Sequence, residues 1–367
     1  MFFDLTDEQQ QLHSTLRAFL DAECPTHELV KRVERTTANG VDMALFQRLG
    51  GDLGLIGAAV PADRGGAGFG LAGLFVIFRE LGRAVHGGPF LSAVLAAETL
   101  VHLGCNADAD VLLQPLIAGQ QTASVAGLGW ERKDDLVARQ EAGNWTVTGR
   151  AASVLDADVG AMFVFANAPD GLGCFRVIDR ACVAIEPVNL LDLSRSAANL
   201  VFDRTPVVRI GTAGDAARAR DKVAEVAALC IAAEQVGLAE RALELTIEHA
   251  CLRKQFGAPI GSFQAIKHRC ADVAMALEGA VNTGMHAAWA LDQSIRPEQP
   301  WASYAKSVCV EASIKASSCL IQVLGGLGFT WEHPAHIFYR RAVSSRYLFG
   351  STEQHRQRIV ASLVGHG

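Results

Sequence analysis

A run of short strands interrupts an otherwise helical chain, and few folds accept a small sheet between two helical bodies. The segments Trp145-Thr-Val-Thr-Gly, Met162-Phe-Val-Phe-Ala, Cys174-Phe-Arg-Val-Ile and Asn199-Leu-Val-Phe-Asp are rich in β-branched and aromatic residues and are parted by Gly, Pro, Asp and Asn. No helix of useful length alternates with them, which disfavours a doubly wound nucleotide fold. On the N-terminal side Leu12, Leu16, Phe19 and Leu20 repeat at helical spacing, as do Leu74, Phe75, Phe78 and Leu81 before Gly82. Between them the breakers from Pro61 to Gly70 make a loop. On the C-terminal side Val223, Val226, Cys230, Ala233 and Gly237 step by three and four, and Gly257 and Pro259 mark the stop. Further helices are expected over residues 263–293, over 301–324 and from Pro334 to the end. The expected architecture is mainly α with a central β domain: an all-helical domain over 1–120, a sheet domain over 121–213 and a four-helix bundle over 214–367.

At 367 residues and 50% apolar content, the chain exceeds what one core usually fills. Its formal charge of −6 offers no general attraction to nucleic acid or to an anionic membrane surface. Asp7 and Glu8 stand where a secretory leader would be basic and then apolar. The most apolar window, residues 89–103, is interrupted by Glu98. A soluble, cytoplasmic protein without nucleic-acid or membrane partners is expected. Nine cysteines with no CxxC pair and no zinc spacing fit buried, reduced thiols in that compartment.

Several motifs have a chemical reading and a plainer one. Gly68-Phe-Gly70-Leu-Ala-Gly73 has the spacing of a dinucleotide fingerprint, but no acid stands near residues 90–94 to take a ribose, so a glycine-rich helix entry is favoured. Ser303 and Lys306 lie one helical turn apart, as a serine acyl enzyme needs; without a Lys-Thr-Gly companion a solvated helix face is favoured. His333 and His336 could ligate a metal, yet spacing supplies no third ligand, and a helix start near Pro334 is preferred. Arg253-Lys-Gln-Phe-Gly257 followed by Ile260-Gly-Ser-Phe-Gln264 sets a cation at a helix end, a tight turn and an amide at the next helix start. That set could hold a pyrophosphate and an adenine, or Arg253 could simply face the negative end of a helix dipole. Support for the first reading comes from Gln322-Val-Leu-Gly325-Gly326-Leu-Gly328-Phe329, because a plain helix cap needs only one of those glycines.

At these residues the sequence resembles the acyl-CoA dehydrogenase family over nearly its whole length. The stretch from Leu55 to Gly68, Glu80-Leu-Gly-Arg-Ala, Gln235-Val-Gly-Leu-Ala-Glu-Arg-Ala-Leu, Arg253-Lys-Gln-Phe-Gly and Leu324-Gly-Gly-Leu-Gly-Phe look like family landmarks in the expected order. The resemblance implies a helical domain, a β-barrel-like middle domain and a C-terminal four-helix bundle. It also implies FAD as cofactor and an acyl-CoA substrate whose α-proton goes to a glutamate while the β-hydride goes to the flavin.

The same resemblance exposes what is missing. It sets the family's Tyr-Glu-Gly-Thr upon Leu348-Phe349-Gly350-Ser351, so the usual base is Phe349, which cannot accept a proton. The alternative base position, ten residues before Gly237, is Ala227, and the substrate arginine is replaced by Ala228. The loop from Ala126 to Asp134 and the segment Ser153-Val-Leu155, which correspond to the family's flavin-ring contacts, bear little likeness to them. What survives is the set by which one subunit holds the ADP part of its neighbour's FAD: Arg253, Phe256, Gln264, Gln322, Gly325 and Gly326. The leading expectation is a base-lacking subunit of a heterotetramer, resembling the smaller subunits of actinobacterial steroid side-chain enzymes, with a second acyl-CoA dehydrogenase subunit as partner. A homomeric enzyme whose base has moved to Glu225, Glu234 or Glu332, and a flavin-free scaffold, are the alternatives.

Overall fold

The first helix, α1 (Asp7–Glu23), begins where Thr6 and Gln9 cap each other's backbone N–H groups, and its Leu16 and Leu20 seal it to the interior. It belongs to a computed structural model that describes residues 5–39, 42–104, 107–128, 135–158 and 160–364. There follow α2 (Leu29–Asn39), α3 (Met43–Gln47), α4 (Gly70–Arg83), α5 (Phe90–His102) and α6 (Ala107–Ile117). The start of α4 is unusual. Gly70 takes a left-handed φ of +66°, and the carboxylate of Asp292, far along the chain, accepts from the amides of Leu71 (2.7 Å) and Ala72 (2.9 Å). A Cβ on Gly70 would meet that carboxylate at 2.8 Å. The glycine motif is thus a helix entry whose free amides are already satisfied by Asp292.

The middle segment forms β1 (Ala123–Ala126), β2 (Val137–Glu141), β3 (Asn144–Leu155), β4 (Ala161–Ala168), β5 (Gly171–Val177), β6 (Val183–Pro187) and β7 (Ala197–Ile210). A tight turn through Ala142 (φ +49°) and Gly143 (φ +84°) joins β2 to β3, as the twist of a two-residue hairpin requires. The pairings run β4–β2–β3–β7–β5 and back to β4, so the sheet closes on itself. β1 and β6 attach outside that ring. The barrel-like middle expected above is therefore what forms, filled by Val147, Met162, Val164, Phe175, Leu200 and Phe202.

The C-terminal helices are α7 (Ala213–Leu252), α8 (Gln264–Asp292), α9 (Trp301–Leu324), α10 (Ala335–Ser345) and α11 (Thr352–Val364). Helix α7, with 40 residues, is about 60 Å long at 1.5 Å per residue, and nearly every residue from Val226 to Ala239 is buried. It crosses α4 at paired glycines: a Cβ on Gly82 would lie 2.0 Å from the carbonyl oxygen of Glu234, and one on Gly237 would lie 1.7 Å from that of Arg79. Helix α9 and its 3₁₀ extension, Trp301–Phe329, are long and apolar enough to cross a bilayer, but 61% of that window is buried within the protein, where α9 packs on α7 and α8. The single helix expected after Pro334 is split in two. Phe349 (φ +53°) and Gly350 (φ +96°) are left-handed, and Ser351 and Gln354 cap each other to begin α11 afresh.

Candidate functional site

Because α8 runs antiparallel to α7 and α9, the end of α7, the start of α8 and the end of α9 meet at one end of the bundle, over a shared apolar cluster containing Ala250, Ile321 and Leu324. Arg253 is the cap residue of α7, its N–H donating to the carbonyl of His249 (2.8 Å). A two-rung hairpin, Lys254–Gln255 against Ala258–Pro259, then lifts Phe256 (φ +52°) and Gly257 (φ +80°) to its tip. The Phe256 ring is 94% exposed and stands edge-on to Phe263, with centroids 6.2 Å apart. Gln264 opens α8, and Gln322 lies in the last turn of α9. Gly325 (φ +64°) and Gly326 follow, both exposed, with open space where a side chain would be. Leu252 (80% exposed) and Phe329 (75%) flank the set. A guanidinium, two amides, a bare ring and accessible backbone can together bind a diphosphate and a purine.

The positions matched to base and flavin ring are built differently. Phe349 sits in the turn between α10 and α11, whose carbonyls point at two buried groups. Lys306 Nζ donates to the carbonyls of Gly350 (2.8 Å) and Leu348. His355 Nε2 lies 3.0 Å from the carbonyl of Phe349, an acceptor only, so it carries the hydrogen; Nδ1 then accepts from the hydroxyl of Ser303 at 2.9 Å. Ser303 and Lys306 are therefore not on a solvated face, as the spacing alone suggested. They are buried because their polar atoms are used to fix this turn. Burial first, and then the Lys306 charge, push the His355 pKa down to about 4. Leu348 and Phe349 pack against the main apolar core, to which the fully buried Ala227 and the strand-end residue Leu155 both belong. Ala228 is likewise fully buried. Ser153 holds φ +54° and donates its N–H to Asn199 Oδ1 (3.1 Å). Of the loop matched to the family's Thr-Glu-Pro segment, residues 129–134 lie outside the described residues.

No candidate for a moved base is poised to take a proton. Glu225 pairs with Lys222 (3.0 Å), and Glu332 is exposed in a turn. Glu234 is buried between Arg195 and Arg341, the latter at 3.2 Å. No spacing in the chain hints at this last cluster, since its members come from separate stretches. Arg341 also donates to Ser194 Oγ (2.8 Å), to Asp192 Oδ2 (3.4 Å) and to the carbonyl of His86 (3.0 Å). Glu98 on α5, the acid that interrupts the most apolar window, is 5% exposed, with His102 one turn on at 3.5 Å. His333 Nδ1 accepts from the amide of Ala335 (3.1 Å), so it caps α10, and His336 packs on Trp331. Among the described residues no group of three possible metal ligands comes together. The expected burial of thiols holds for Cys24, Cys174, Cys230, Cys309 and Cys319, whereas Cys182 and Cys251 are exposed.

Two family models match the chain, the N-terminal domain of acyl-CoA dehydrogenases over residues 6–120 and their C-terminal domain over residues 217–364. The acyl-CoA dehydrogenase FadE34 of Mycobacterium tuberculosis is 32% identical over 364 residues; the match takes in 93% of this chain but only 48% of that relative, so the chain spans about half its length. Among solved structures, a chain from the ChsE4-ChsE5 complex of Mycobacterium tuberculosis superposes with a TM-score of 0.88 at 26% identity, covering 99% of both chains. A variant of the Tcur3481-Tcur3483 steroid ACAD gives a TM-score of 0.86 at 27% identity, again over 99% of each.

Proposed function

This chain belongs to the acyl-CoA dehydrogenase family, and we propose that it is the half-site subunit of a heteromeric α2β2 enzyme that dehydrogenates an acyl-CoA thioester. One contrast carries the proposal. Every residue that would hold the ADP end of a neighbour's FAD is exposed at one end of the bundle, while the two positions for a base carry Phe349, half-buried against the main apolar core, and the fully buried Ala227, neither of which can take a proton. The chain thus presents contacts for the ADP half of the cofactor and lacks the proton acceptor that the reaction needs. Arg253 would meet the diphosphate, Phe256 would cover the adenine, and Gln264, Gln322 and the Gly325–Gly326 backbone would supply hydrogen bonds to the rest. The bound flavin supplies a hydride acceptor, and the partner subunit supplies the glutamate. Similarity to chains of the ChsE4-ChsE5 complex and of a steroid ACAD supports a partnered enzyme and a steroid side chain as the acyl class.

The test is co-expression with candidate partner subunits. The complex should carry one FAD for every two chains and oxidise acyl-CoA with an artificial electron acceptor, while this chain alone should do neither. Stoichiometric FAD and turnover from the isolated chain would refute the proposal. A homomeric enzyme is the second reading, and the burial of Glu98 with no arginine paired to it among the described residues is the observation that favours it. Unchanged turnover in Glu98→Gln removes that reading. A flavin-free scaffold would show no flavin absorbance even in the complex.

A further inference from the structure

Between β6 and β7, residues 188–196 leave the barrel and run into the helical body. There two arginines and two carboxylates form a closed, charge-balanced cluster: Arg195 and Arg341 against Asp192 and Glu234, each with a side chain no more than 7% exposed. The cluster joins four parts of the chain. Asp192, Ser194 and Arg195 come from the barrel connection, Glu234 from the middle of α7, Arg341 from α10, and the carbonyl of His86 from the link between α4 and α5. Gly87 tightens the junction, for a Cβ there would lie 2.2 Å from the carbonyl oxygen of Ser194. Beside it Asp156, at the end of β3, accepts from Ser92 Oγ of α5 (2.5 Å) and from Ser196 Oγ (3.2 Å). A forked guanidinium that reaches four acceptors on three elements fixes direction as well as distance. Buried ion networks add little net stability over apolar replacements, but they exclude arrangements that leave a charge unpaired.

We propose that Arg341, with Glu234, Arg195 and Asp192, is a positioning residue that sets the barrel's seating on the helical bodies without any cofactor. This rests on the half-site reading, in which no flavin ring lies within this chain. The helical bodies therefore hold their relation to the barrel, and to the exposed end of the bundle, before any partner arrives.

Amide hydrogen exchange on the isolated full chain tests this. The charge-balanced double variant Arg341→Met with Glu234→Met should fold with unchanged helical circular dichroism, yet exchange at least tenfold faster over residues 188–197, with α7 and α9 unaffected away from the substituted sites. Arg341→Lys keeps the charge but not the fork, so it should show the same local loosening; it also serves if the double variant does not fold. Adding FAD to the wild-type chain should leave this exchange unchanged. Wild-type exchange in the connection of both variants, or protection of it by FAD at sub-stoichiometric binding, would overturn the proposal. Neither result bears on the flavin ratio of the complex, by which the half-site reading itself stands or falls.

Discussion

His355 shows how a single buried ring commits a turn to one geometry. Its tautomer is dictated by the Phe349 carbonyl on one side and the Ser303 hydroxyl on the other, and Lys306 makes a second proton unwelcome. The folded pKa, about 4, lies below the ordinary 6.5, so this contribution to stability is complete above pH 6.5 and is lost as the pH falls toward 4. A tenfold change in proton affinity is worth about 1.4 kcal/mol, which makes the loss across that window on the order of 3 kcal/mol. His86, pushed down to about 3 by burial and three nearby arginines, acts in the same sense. The two are separated by difference: urea midpoints of wild type and His355→Gln, measured at pH 7 and pH 4.5, should converge at the lower pH, whereas a constant gap would deny His355 the role. This residue's importance was not legible in the sequence. The pair Ser303 and Lys306 lies far along the chain from Phe349 and His355, and a lone Lys on a helix pattern reads as solvated until its acceptors are known.

Among the elements, α4 and α7 depend on each other through two missing side chains. The atoms nearest a Cβ at Gly82 or Gly237 are backbone and cannot swing aside, so the helices must part to admit a methyl group. Gly237→Ala should therefore cost about 3 kcal/mol or more, read as a fall in the thermal midpoint, while Gly214→Ala, in open space at the start of α7, should cost little. Asp292→Ala should cost about 1–2 kcal/mol by uncapping α4, with faster amide exchange confined to Leu71 and Ala72 and their neighbours. Helix existence and face were readable from apolar spacing, because 3.6-residue periodicity is local. The break after Ser345 is invisible to apolar spacing, although Ser351 and Gln354 spell out a cap, because the left-handed Phe349 before it carries no local signature.

At the scale of the whole molecule, the order of helical, sheet and helical segments survives translation into coordinates because each segment's patterning is self-contained. The candidate ADP end was legible for a related reason. Its residues fall in two short stretches that antiparallel helices return to the same end of the bundle. The ion cluster at the barrel's junction, drawn from residues 86 to 341, has no such signature. In the complex, Phe256→Ala in this subunit should weaken FAD binding by about fivefold to a hundredfold, as loss of about 1–3 kcal/mol of stacking implies. Fluorescence titration of the deflavinated complex measures it, and an unchanged Kd would separate Phe256 from the cofactor.

The tether between Asp292 and the entrance of α4 also has a temporal side. On the ribosome, the segment bearing Leu74, Phe75 and Phe78 emerges long before the carboxylate that finishes its helix, and before the glycine on α7 against which it nests. Until α7 and α8 are made, the α4 face that they cover lacks those partners, so a chain arrested at that stage is expected to expose apolar surface that the finished protein hides.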